Sequence, residues 1–193
     1  MKFQRILKQE YMRTIIMIVV VILSVLVFWF GLSFVLGTEN PVLAVASGSM
    51  EPVLYKGDLI IIEGVKNAAN IYTAPKDANP VGDIIVFYQS YTGELIVHRA
   101  VEKNLNEDDT FSFKTWGDNN LSADPTPVQE KDVVGRYLNI KIPWLGNIAL
   151  FFSSFEVKVA FVALWIIIIV IIELAPFVRK KVKRGSDEEN LQK

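Results

Sequence analysis

The sequence contains no cysteine among its 193 residues and a single histidine, His98. The first absence excludes a disulfide framework, a thiolate nucleophile and any cysteine-ligated zinc site. The second excludes a multi-histidine metal centre, so no metal or other cofactor is expected. Charge is also missing, but only locally. Residues 14–36, TIIMIVVVILSVLVFWFGLSFVL, carry none, and residues 159–178, VAFVALWIIIIVIIELAPFV, carry only Glu173. About 20 apolar residues suffice to cross a hydrocarbon core of about 30 Å, so both runs are expected to be transmembrane helices. The first exceeds the apolar core of about 7 to 15 residues found in cleaved signal peptides, and it reads as a retained anchor. Glu173 lies near the C-terminal end of its run, where a charge costs less than at the bilayer centre.

What charge there is near these runs sets an orientation. Lys2, Arg5, Lys8 and Arg13 precede the first, and Arg179, Lys180, Lys181, Lys183 and Arg184 follow the second. Basic flanks stay on the cytoplasmic side. The expected organisation is therefore a cytoplasmic segment 1–13, a transmembrane helix 14–36, an external domain 37–158, a second transmembrane helix 159–178 and a basic, disordered tail 179–193. That describes a multi-pass protein of the cell membrane with the lipid bilayer as a partner. The external region has more acids than bases, which gives no basic surface for nucleic acid.

The external domain reads as mainly β. LIIIEG (59–64), GDIIVFYQ (82–89), ELIVHRAVEK (94–103) and FSFKTW (111–116) are short apolar or alternating runs bounded by polar turns. KDVVGRYLNIKIPW supplies one or two more strands, and TG at 92–93 is expected to turn a hairpin. No helical period shows between the two apolar runs. The expectation is a small antiparallel sheet, barrel-like and partly closed, flanked by transmembrane helices.

Chemistry has few residues to rest on. AVASGSMEP (44–52) follows the first apolar run closely, with Ser47 and Ser49 on either side of Gly48. Serine is a weak nucleophile unless a base takes its proton. His98, on the strand-like ELIVHRAV, is the residue whose ordinary titration range suits that task near neutrality. A third group would hold the imidazole in one tautomer, and KTWGDNNLSADP (114–125) offers both Asp118 and Asp124. Each segment taken alone also reads as a turn or a strand.

Taken together the segments resemble a type I signal peptidase, of the endoplasmic-reticulum-type branch also found in archaea and some Gram-positive bacteria. The boxes are SGSMEPVLYKGDLI (47–60), VGDIIVF (81–87), IVHRAV (96–101) and KTWGDNNLSADP, in that order behind an N-terminal anchor. The resemblance implies Ser49 as nucleophile and His98 as base, where the bacterial branch has a lysine. It implies Asp124 as the group orienting His98, with Asp118 ordering the loop or sharing that role. Ser47 and the Ser49 backbone would stabilise the oxyanion. Met50 and Pro52 would shape the turn, Gly82 and Asp83 would serve the strand, and Arg99 would pair with an acid. The implied substrates are preproteins bearing signal peptides, cut after a small residue and held between strands around VLAVAS (42–47) and ELIVH (94–98), and the protein translocation machinery is an implied partner. Two other readings stay open: a membrane-anchored binding or assembly protein without catalysis, and a peptidase dedicated to a few precursors.

Overall fold

The computed structural model describes residues 2–168 and 171. It falls into two compact units, Met1–Asn147 and Ile148–Lys193.

The first unit begins with α1, Lys2–Leu36. Its portion Ile15–Leu36 has a mean hydropathy of 3.1 and buries nothing against the protein. A helix apolar on all sides and packed on nothing needs an apolar solvent, and this one is long enough to cross a bilayer. Among the described residues it is the one helix that meets both conditions. It stops at Gly37, whose φ of +65° is the left-handed turn that ends helices, and Thr38 N donates to Ser33 O.

Seven strands follow: β1 Val42–Ala44, β2 Leu59–Glu63, β3 Ile84–Tyr88, β4 Leu95–Leu105, β5 Phe111–Trp116, β6 Val128–Gln129 and β7 Val133–Ile142. They form one sheet in the order β1-β2-β7-β3-β4-β5-β6, and every pairing is antiparallel. The ladder is open, with β1 and β6 at its ends, so the described residues form a mostly antiparallel sheet rather than a closed barrel. β1 and β6 have three and two residues, too few for a sequence period to show. KDVVGRYLNIKIPW forms the single strand β7 after a short 3-10 turn at Glu130–Asp132.

The sheet is buried on both faces, which explains why β3 reads as the unbroken run IIVF instead of alternating. Ile84 and Val86 join Val45, Met50, Leu54, Ile60 and Ile62 in one apolar cluster. Ile85 and Phe87 join Ile71, Ala100, Phe113 and Val128 in another. On β4 the same alternation sends His98 and Arg99 to opposite faces, since they pair across the ladder with Ile85 and Ile84 respectively.

Along the chain, the boundary between the two units falls within a short helix, α2 (Gly146–Phe151). In the second unit residues 155–168 are helical. Phe152, Phe161 and Trp165 meet there edge to face, with ring centroids 5.2 and 6.2 Å apart. The expected span 159–178 is thus helical as far as it is described, while 169–170, 172–178 and the tail 179–193 lie outside the described residues.

Candidate active site

Ser47 and Ser49 occupy the loop that leaves edge strand β1. Met50, one residue on, is 1% exposed and packs into the first apolar cluster, which fixes the loop from beneath. Leu54 N donates to Met50 O and Glu51 N to Gly48 O, so the chain turns tightly right after the serines. The two hydroxyls lie 3.3 Å apart. Among the described residues nothing accepts the Ser49 backbone N–H.

His98 comes from the half of β4 that β5 does not cover. The β4–β5 ladder begins at Arg99↔Trp116, so residues 95–98 pair with β3 on one side only. The ring is 7% exposed and stands edge-on to Phe87. Its Nδ1 lies 2.6 Å from Asp124 Oδ2. That oxygen also accepts the hydroxyl of Thr115, which is fully buried, and the Asp124 backbone N–H returns to Thr115 O at 2.8 Å. Burial works to raise the Asp124 carboxyl, but the hydrogen bonds from His98 and Thr115 outweigh it, and the group is held below the usual aspartate range. A carboxylate at Nδ1 keeps the imidazole proton on that nitrogen and leaves Nε2 with a free lone pair.

Asp118 is placed elsewhere. Both its oxygens accept from Arg99, Oδ1 from Nε at 2.8 Å and Oδ2 from Nη2 at 2.6 Å. The third branch of the guanidinium donates to Gly82 O. Arg99 is 6% exposed, so Asp118 balances a buried cation on the face of β4 opposite His98. Asp83 accepts from Tyr72 N and Arg136 Nη1, and a Cβ on Gly82 would come within 2.1 Å of Ala100 O. Both positions serve the packing of the strands.

The loop 117–124 is tied directly to the serine loop. Asn119 N donates to Ser49 O at 2.8 Å, and Asn119 Nδ2 to Gly48 O at 3.1 Å. Gly117 runs so close that a Cβ there would lie 2.7 Å from Ser49 O. On its outer side Lys76 Nζ donates to Asn120 O and sits 4.5 Å over the Trp116 ring. Thr115, Asn119 and Lys76 are not among the candidate site residues that the sequence singles out. Thr115 had a signal, because it is a polar residue at an inward position of an alternating strand and must find a partner. Lys76 had none, since it lies in the polar connection between β2 and β3.

Ser47, Ser49, Met50 and His98 line one cavity of about 340 Å³, between residues 43–46 on one wall and 95–97 on the other. β1 and β4 are separated in the sheet by β2, β7 and β3, so the sheet curls enough to bring their unpaired edges across from each other. Among the described residues no cluster of carboxylates and histidine has the composition to hold a metal ion.

No family model matches the chain. It is similar to the signal peptidase complex catalytic subunit SEC11C of Rattus norvegicus, 29% identical over 164 residues that cover 81% of this chain and 80% of that protein. The SEC11C of Homo sapiens is 28% identical over 155 residues, 77% of this chain and 76% of that one. The SEC11 subunit of Lachancea thermotolerans is 32% identical over 141 residues, 68% of this chain and 77% of its own. Likeness at that level, over more than two thirds of each chain, leaves one assignment: the chain belongs to the SEC11 family of signal peptidase catalytic subunits.

Proposed function

We propose that this protein is a membrane-bound serine endopeptidase that removes signal peptides from preproteins, with Ser49 as nucleophile, His98 as general base and Asp124 as the group orienting His98. The observation that carries the reading is the shared cavity. Ser49 and His98 open onto the same space from two strand edges, and His98 is fixed from behind by a carboxylate. Among the described residues Ser49 Oγ bonds to Ser47 Oγ and not to His98, so proton transfer requires it to turn toward His98 Nε2.

In that mechanism His98 Nε2 takes the Ser49 hydroxyl proton as Oγ bonds to the scissile carbonyl carbon. Negative charge collects on the carbonyl oxygen, where the free Ser49 N–H and the Ser47 hydroxyl are suited to donate. The imidazolium, stabilised by Asp124, gives its proton to the departing amine as the C–N bond breaks. Water, deprotonated by the same nitrogen, then cleaves the ester and restores Ser49. Asp118 acts only through the loop, by holding Arg99.

The cleft walls support an extended substrate. Residues 42–44 and 95–98 each expose one unpaired backbone edge, and a peptide can pair with both. Alanines 44 and 46 with Leu95 and Val97 leave shallow apolar space, which favours small side chains before the cut. We further infer that residues 159–178 form a second span, so that membrane helices flank a curled sheet in a multi-pass protein of the cell membrane with its catalytic domain outside. The basic flanks support this orientation. The relatives are subunits of a complex by name, which supports work beside other membrane proteins, the translocation machinery among them.

The test is cleavage of a preprotein by the detergent-solubilised full chain. Ser49→Ala and His98→Ala should each abolish it, and the double variant should be no worse, because the two act as a unit. A folded Ser49→Ala protein that still released the signal peptide would overturn the reading.

A further inference from the structure

A second cavity, of about 320 Å³, lies well away from the catalytic cleft, where α1 meets the sheet. Its wall is half apolar and half polar, with three charged residues. Val35 and Leu36 come from the last turn of α1, and Glu63, Lys66, Asn70 and Arg136 come from the sheet and the connection after β2. The depth of this cavity is fixed by backbone bonding. Gly64 N donates to Leu36 O at 2.7 Å, and a Cβ on Gly64 would lie 1.9 Å from Gly37 O. The end of the apolar span and the mouth of the cavity therefore sit at one level, where the hydrocarbon gives way to the headgroup layer.

The charges there are arranged as a dipole. Arg136 donates through Nε and Nη2 to Glu63 Oε1 and through Nη1 to Asp83. One cation against two carboxylates leaves a deficit of one charge, and Lys66 returns the sum to zero. Among the described residues Lys66 Nζ takes part in no ion pair, and nothing donates to Glu63 Oε2. Asn67 spends its carbonyl on Ala69 N, which leaves its amide donors free beside Lys66. The cavity thus offers free donors to a phosphate and an open carboxylate oxygen to an ammonium group. On the membrane side Phe34 is 88% and Val35 78% exposed, forming a surface along which acyl chains can lie.

We propose that this cavity binds the headgroup of a zwitterionic phospholipid from the outer leaflet, phosphate against Lys66 and ammonium against Glu63. A net-neutral dipolar site favours a zwitterion over an anion, because an anionic headgroup meets Glu63 without compensation. The apolar wall favours a lipid over the free headgroup. Occupancy would brace the joint between anchor and catalytic domain and hold the active-site cleft at a set height above the membrane.

The experiment is native mass spectrometry of the delipidated full chain in detergent, titrated separately with phosphatidylcholine, phosphatidylglycerol, diacylglycerol and glycerophosphocholine. The expected result is one tightly retained phosphatidylcholine, with phosphatidylglycerol about two- to fivefold weaker, the range that one exposed charge contact supplies. Diacylglycerol and glycerophosphocholine should each bind far more weakly. Lys66→Glu and, independently, Asn67→Asp, which keeps an acceptor for Ala69 N but removes the amide donors, should reduce retention several-fold; both residues are exposed, so folding should survive. Ser49→Ala should leave retention unchanged, whether or not Ser49 is the nucleophile. Tighter binding of phosphatidylglycerol would overturn the dipolar site. Equal binding of diacylglycerol would reduce it to an apolar groove, and equal binding of glycerophosphocholine would make it a soluble-ligand pocket. Retention indifferent to both variants would remove the site from this cavity.

Discussion

Replacing Asp124 by Asn should be unusually mild for an enzyme of the proposed kind, and Thr115 is the reason. In a serine–histidine–aspartate triad the aspartate-to-asparagine change typically costs about 10⁴ in kcat, because the new amide N–H faces the ring and forces the imidazole into the wrong tautomer. Here the oxygen that faces His98 Nδ1 at 2.6 Å also accepts the Thr115 hydroxyl. An amide NH₂ in that place would confront two donors, whereas an amide oxygen keeps both bonds. The Thr115 hydroxyl could rotate to accept instead, but its own proton would then be stranded in a fully buried position. The amide oxygen should therefore stay toward His98, and only the charge is lost. Hydrogen bonds to charged groups contribute about 1.5–3 kcal/mol and neutral ones about 0.5–1.5. Unit charges 4 Å apart at an effective dielectric of 20 attract by about 4 kcal/mol, a ceiling here because the Asp124 side chain is 20% exposed. A loss of about 2–3.5 kcal/mol from the transition state corresponds to roughly 30- to 400-fold in kcat/KM. Adding Thr115→Val frees the amide to flip, and the double variant should fall toward about 10⁴. Steady-state cleavage of a preprotein measures all three, with thermal unfolding as the check on folding. A single Asp124→Asn variant already at 10⁴, and indifferent to Thr115→Val, would refute the anchoring argument.

Gly117→Ala should cost at least tenfold in kcat with a modest loss of stability, about 1–3 kcal/mol, because its Cβ would press on Ser49 O and Asn120. Activity equal to wild type would show that the two loops need not stay in register. The stability contribution of Asp124 is lost toward acid. Its carboxyl sits below the ordinary value, so its stabilisation is complete above the unfolded pKa of about 3.9 and disappears as pH falls through the lower folded value. Wild type and Asp124→Ala should differ in unfolding free energy by a constant amount above about pH 5 and converge in stronger acid. For topology, protease added outside intact cells should digest the β domain while a C-terminal tag survives; loss of the tag would refute the second span.

How much of this was legible beforehand depended on whether the information was local. α1 and the strands β2, β3, β4 and β5 were readable because each has four or more residues of continuous or alternating apolar character. β1 is too short to carry a period, and VLAVAS (42–47) reads as a strand and a wall of the cleft only through the family resemblance. Its existence depends on Val45 N reaching Asp58 O and on pairing with β2, contacts that bridge a loop of irregular chain. Lys76 was invisible for a related reason: its work is to hold the carbonyls of residues 117 and 120, some 40 positions downstream.

The choice between Asp118 and Asp124 shows how strand geometry can turn an ambiguity into an inference. Consecutive residues of β4 must point to opposite faces, so His98 and Arg99 cannot share a partner without breaking the strand. A buried guanidinium leaves its donors stranded unless a carboxylate faces it, and a base needs its own acceptor at Nδ1. Two adjacent basic side chains on opposite faces therefore call for two acids, one on each side of the sheet's end. The loop after β5 supplies two acids six residues apart, and the turn Gly117–Asn120 carries the chain round between them. Asp118, first after the strand, meets Arg99, whose ladder partner Trp116 is only two residues away. Asp124 must travel further, and it returns beside Thr115 to reach the other face. Exchanging the acids' tasks would require Asp118 to cross the strand that Trp116 anchors. The order of the two aspartates along the chain is thus set by which neighbour of β5 each basic residue faces, and the pairing His98–Asp124 follows from that order.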